Sequence, residues 1–157
     1  MIPHTTDRTF EALQAIFWAG LTCGVLDISA AFITWAIKGV KPFIILQGIA
    51  SGLLGPKSFQ GGWLTAFVGA SCHFFIAFSA ATVFYAASRK LPFMIQRSIL
   101  AGALYGIAVY IVMYWIVKPL SLVRPRPFSL GETIVAIITH IICIGLPISF
   151  IVRAYCR

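Results

Sequence analysis

A chain of 157 residues that is 60% hydrophobic and only 10% charged carries too little polar surface to hold a soluble globular domain in water. Its formal net charge of +8 rests on Lys and Arg near the ends of the apolar stretches, where they meet lipid headgroups, so the basic balance argues for a membrane and against nucleic acid. An all-α integral membrane protein is expected, with membrane lipids as its first partners.

Apolar runs of about 20 residues cross a ~30 Å hydrocarbon core as helix. They occur at roughly 14–37, 63–87, 98–117 and 130–152. The whole chain, 1–157, thus reads as a single transmembrane domain, a four-helix bundle with no soluble domain. The first run exceeds the roughly 7 to 15 apolar residues of a signal peptide and has Asp7 and Glu11 in its leader, so it is expected to be retained. Within it, Gly20, Gly24, Asp27 and Ala31 recur at helical spacing, forming a stripe of small residues that includes one carboxylate.

The connector that follows holds an apolar stretch, 42–55, too short to span, and a re-entrant helix and an interfacial helix are both open readings. Gly48 and Gly52 would give it a smooth face against the bundle, and Gly61-Gly62 would turn the chain into the second span. There Ala66, Gly69, His73, Ala77 and Ala80 form another stripe, this time around an imidazole.

A short connector with Arg89, Lys90 and Arg97 leads to the third span, where Gly102, Gly106 and Tyr110 share a face. The next connector runs from Lys118-Pro119 to Arg124-Pro125-Arg126-Pro127, whose alternating prolines favour an extended course. Arg124 and Arg126 read as solvated anchors able to meet a phosphate-bearing headgroup. Ser129 and Glu132 have capping-box spacing, which makes Glu132 a helix-start carboxylate. Ala136, His140, Cys143 and Pro147 line one face of the fourth span.

The pairs Gly20/Gly24 and Gly102/Gly106 are both GxxxG, and Gly69-x-x-x-His73 parallels Ala136-x-x-x-His140, so the chain reads as two helical hairpins forming an internal repeat. Cys23, Cys72 and Cys143 fall inside spans and Cys156 at the C-terminal edge, a distribution of buried thiols rather than of a disulfide framework. The 12 Lys and Arg divide evenly between the two sides of the membrane. The crowding of Arg89, Lys90 and Arg97 in the shortest connector favours both termini in the cytoplasm.

Asp27, His73 and His140 fall at similar depth, with Tyr110 about level with them. A charged side chain at the bilayer centre costs about 2.5 to 3.5 kcal/mol on insertion scales, which invites a functional explanation for three ionisable groups in one layer. An ionised Asp in hydrocarbon needs a cation or donors, and an imidazole needs a partner that fixes its tautomer, so contact of Asp27 with His73 or His140 is expected. A small transporter or a proton- and ion-handling protein follows, acting as a homo-oligomer or within a larger membrane complex. The alternative is a non-catalytic accessory or assembly subunit in which these groups merely fix helix register. A second alternative is a metal or haem protein, with His73, His140 and Cys143 as weak ligands; no cofactor is required by the main reading. Hydrolase elbows, zinc-protease helices and phosphate-binding loops are absent from the sequence, so no catalytic residue is assigned.

The run Leu46-Gln47-Gly48-Ile49-Ala50-Ser51-Gly52-Leu53-Leu54-Gly55, with Phe59-x-Gly61-Gly62, His73-Phe74-Phe75, Lys118-Pro119-Leu120-Ser121 and Gly145-Leu146-Pro147, resembles a group of small four-span bacterial inner-membrane proteins. The likeness covers nearly the whole chain. It implies a bacterial cytoplasmic membrane and a retained first span. That group brings no established activity with it.

Overall fold

The computed structural model describes residues 5–124 and 127–156, and is helical almost throughout. Pro125 and Arg126, and with them the expected pair of spaced arginines, lie outside the described residues. Four helices are long and apolar enough to cross a membrane. They belong to α1 (Thr5–Ala36), α3 (Gly62–Ser88), α5 (Ser98–Leu120) and α6 (Leu130–Tyr155), with the shorter α2 (Pro42–Leu54) and α4 (Phe93–Gln96) between them.

The first helix begins well before the apolar run because its polar leader, Glu11-Ala12-Leu13-Gln14, is built of strong helix formers and does not stop at the apolar boundary. It ends in a Schellman motif. Gly39 adopts φ 74°, Val40 N–H donates to Trp35 O at 3.0 Å and Gly39 N–H to Ala36 O at 2.9 Å. Pro42 then opens α2 at a position where its missing N–H costs nothing.

In space α1 lies between α3 and α6, α6 packs in turn on α5, and α2 rests on α3. Tyr105 of α5 bridges to α3: its hydroxyl donates to Ala80 O at 2.7 Å and its ring meets Phe84 edge-on at 5.0 Å. The core occupies the half of the bundle nearer the termini, where Ala19, Cys23, Ala77, Ala81, Ala101 and Ile148 are buried. Small side chains dominate because lipid offers no hydrophobic drive, so helices associate by close packing.

The glycines that permit this packing differ from one another in what they meet. A Cβ on Gly145 would lie 2.0 Å from Gly102 O, and one on Gly106 2.6 Å from Ile141 Cα, so α5 and α6 touch backbone to backbone. Gly20 and Gly24 instead seat the rings of Phe78 and Phe74, so aromatic side chains fill these notches. A Cβ on Gly69 would lie 1.9 Å from Leu46 O, so the notch that admits α2 is on α3. The expected smooth face of α2 is therefore revised. Gly48 has nothing within 4 Å, and Gly52 faces Ser121 and Val123 of the second long connector.

That connector docks on the first: Leu122 N–H donates to Gly52 O at 2.9 Å, and Lys38 pairs with Glu132. Ser129 caps α6, accepting from Glu132 N–H at 3.4 Å as the spacing predicts.

Two π-helical turns interrupt the spans, Met113–Val117 in α5 and His140–Gly145 in α6. Each ends two residues before a proline, Pro119 and Pro147. A proline in a regular α-helix would lack the bond to the carbonyl four residues back and crowd it. The wider turn shifts the pattern, so that Lys118 N–H bonds Met113 O and Leu146 N–H bonds Ile141 O.

Candidate functional site in the middle of the bundle

Helix contacts fix the depth of each polar group. Gly24 of α1 meets Phe74 and Ala77 of α3, and Gly106 of α5 meets His140 and Ile141 of α6. Asp27, one turn beyond Gly24, is half-buried, and α1 packs against the 140–145 turn of α6. His73, Asp27, Cys143 and His140 thus belong to one zone of the bundle, just past the well-packed core.

The expected contact between carboxylate and imidazole is not formed. His73 Nε2 lies 2.8 Å from Gly24 O, and His140 Nδ1 lies 2.8 Å from Ala136 O. A carbonyl only accepts, so each of these nitrogens carries the proton: neutral His73 is the Nε2–H tautomer and neutral His140 the Nδ1–H tautomer. His73 Nδ1 and His140 Nε2 are left as the basic nitrogens, with no hydrogen bond among the described residues. Asp27 likewise has no hydrogen bond or ion pair there. Backbone carbonyls do for the histidines what the sequence reading assigned to Asp27.

Tyr110 does meet one of the histidines. It is buried, 7% exposed, and its ring stands edge-on to His140 with centroids 5.7 Å apart. Tyr110 also stacks on Tyr114 at 5.6 Å, and Lys118 Nζ lies 4.6 Å from the Tyr114 ring. A continuous line of side chains therefore runs from His140 to the end of α5. It begins at the π turn of α6, and π turns recur at functional sites because they re-aim side chains.

Among the described residues no three His, Cys, Asp or Glu side chains converge tightly enough to hold an ion. His73 has spent Nε2, the nitrogen reaching farthest from its helix, on Gly24. The four cysteines are free thiols, of which only Cys23 is buried, so the expectation of buried thiols holds for that one alone.

A second polar cluster joins α2 to α3. Gln47, 1% exposed, donates from Nε2 to Gly62 O and Thr65 Oγ1, both at 3.2 Å, and Thr65 donates to Ser58 O at 2.6 Å. Gln47 Oε1 and Ser58 Oγ are buried without a partner. A lone Gln amid apolar residues in 42–55 is the sequence signal for it.

Comparison with known protein families, with characterised proteins and with solved structures found no match.

Proposed function

We propose that this is a small proton- or ion-handling transporter in which Asp27, His73 and His140 exchange protons at mid-membrane depth, with Tyr110 packed against His140. The observation that carries the reading is Asp27: a half-buried carboxylate in the middle of an apolar helix, with no ion pair or hydrogen bond among the described residues. A residue kept only to glue helices would be bonded to one, since the benefit of a buried polar group comes through its hydrogen bonds. Each histidine supports the reading in turn, because a backbone carbonyl fixes its tautomer and leaves the other nitrogen able to take a proton.

None of the three hydrogen-bonds another, so a proton passes among them through water or through the solute. Protonation of His73 Nδ1 or His140 Nε2 puts a positive charge in the same zone as the carboxylate, and the pair is then neutral overall. Four spans give a narrow path, and a homo-oligomer is part of the proposal. So is a bacterial cytoplasmic membrane with both termini inside, for which the cations Arg89, Lys90 and Arg97 in the short connector are the support. The paired GxxxG motifs support descent from a doubled hairpin.

The test is acidification of vesicles containing the purified protein and an internal pH dye, driven by a potassium diffusion potential. Proton entry above that of protein-free vesicles, lost in a combined Asp27→Asn, His73→Gln, His140→Gln variant that still inserts, is the expected result. Entry no faster than in empty vesicles across a range of added cations and solutes would overturn the reading.

A further inference from the structure

We infer that the groove between the start of α5 and the end of α6 is a binding site for the phosphate of an anionic phospholipid in the leaflet on the side of the termini. The groove is lined by Gln96, Arg97, Ser98, Ile99, Leu100 and Arg153, among others, and is remote from the Asp27 zone. Arg97, at the start of α5, and Arg153 of α6 therefore border one concavity.

Arg153 is held in place rather than free to wave in solvent. Its Nη1 donates to Ser98 Oγ at 2.9 Å, Ser98 is 1% exposed, and Ser149 Oγ locks the same residue by donating to Ser98 O at 2.6 Å. A guanidinium has five N–H donors in a planar fork, so one bond to Ser98 leaves the others for a phosphate. Arg97 sits half outside the helix start. Among the described residues neither arginine forms an ion pair, and the first turn of α5 holds no acidic residue.

The backbone adds to this. α5 begins without a side-chain cap, and its first repeating bond runs from Ala101 N–H to Arg97 O, so the preceding N–H groups at the start of the helix are open. Their partial positive charge reinforces the two arginines. Beneath the charged rim the lining turns apolar: Ile99 is 67% exposed and Leu100 49%, on the first turn of a spanning helix. A free phosphate would have no use for that surface, whereas an acyl chain hanging from a bound headgroup would cover it. Positive rim, open amides and apolar wall match an anionic phospholipid in that order from water to hydrocarbon.

Native mass spectrometry of the detergent-purified protein with phosphatidylglycerol, phosphatidylcholine or inorganic phosphate tests the site. Phosphatidylglycerol is expected to stay bound at energies that strip phosphatidylcholine. Its affinity should fall about tenfold or more in Arg97→Gln/Arg153→Gln, and stay unchanged in Arg89→Gln/Lys90→Gln, which removes equal charge from the same end of the bundle outside the groove. Equal loss in both double variants would show diffuse attraction to the membrane surface and overturn the site. Binding of inorganic phosphate as tight as that of the lipid would also overturn it. Should Arg153→Gln weaken folding through Ser98, Arg97→Gln alone is expected to lower phosphatidylglycerol affinity severalfold, and no change there would contradict the inference.

Discussion

His73 Nε2 donates to the carbonyl oxygen of Gly24 at 2.8 Å, so this imidazole is bound to the backbone of the helix that carries Asp27 and not to its carboxylate. The bond requires Gly24. A larger residue there would meet the Phe74 ring at 2.7 Å and displace the face against which the imidazole rests. His73→Phe is therefore expected to lower the unfolding midpoint modestly, by a free energy near the ~0.6 kcal/mol average for interhelical bonds in membranes. His73→Gln, which can still donate to Gly24 O, should recover part of it. A denaturant titration in mixed micelles reads both.

The glycine contacts predict a graded series. Gly145→Ala forces the α5 and α6 backbones apart and should cost about 3 kcal/mol or more. Gly24→Ala pushes on a phenyl ring able to turn and should cost less, while Gly48→Ala meets open space and should be tolerated. Thermal unfolding of the three variants checks the order, and a disruptive Gly48→Ala would point to a partner on that face.

The cluster at Gln47 separates a satisfied bond from an unsatisfied atom. Thr65→Val strips Ser58 O of its donor and Gln47 Nε2 of one acceptor, at a cost of about 1–3 kcal/mol. Gln47→Met removes the orphaned Oε1 along with the donor and should be close to neutral. Unfolding midpoints compare the two.

Lys38 and Glu132 tie the first connector to the start of α6, yet their side chains are 46% and 48% exposed. Such a pair is worth about 1 kcal/mol or less and is screened by salt. A double-mutant cycle with Lys38→Met and Glu132→Gln should give a coupling within that bound, shrinking as salt is raised.

Cys156 lies just beyond α6, where burial pushes its thiol above the ordinary value while the nearby Arg89 guanidinium pulls it back down. Only the thiolate reacts with maleimide, so a raised value means slow labelling near neutrality and a steep rise in alkaline buffer. Arg89→Gln removes the opposing pull and should slow labelling further at a fixed pH, as followed by gel shift.

The spans were legible because a membrane helix has one dominant requirement, an apolar run of sufficient length, and the sequence states it four times. The cap at Ser129 was legible too, since its bond to Glu132 N–H joins residues three apart, whereas the Glu132 carboxylate pairs with the distant Lys38. Contacts between helices were less so. Gly20 and Gly24 have the spacing of Gly102 and Gly106, but whether a notch receives a ring or a backbone depends on the facing helix, and that relation is not local. The partners of His73 and His140 escaped for the same reason that buried histidines often mislead: backbone carbonyls are everywhere and leave no trace in the sequence. Tyr105 leaves no signal in the sequence either, since its hydroxyl bonds a backbone carbonyl, Ala80 O, on another helix. The π turns did leave a signal, Pro119 and Pro147 inside or at the end of apolar runs.

On the proposed function Asp27 is kept for what it does and not for what it holds. Measuring proton entry into vesicles and the unfolding midpoint on one preparation of Asp27→Asn tests it most directly. Removing a carboxylate that has no hydrogen-bond partner should leave the midpoint unchanged or raise it, while proton entry falls to that of protein-free vesicles. Unchanged entry with a lowered midpoint would contradict the account and make Asp27 a structural residue.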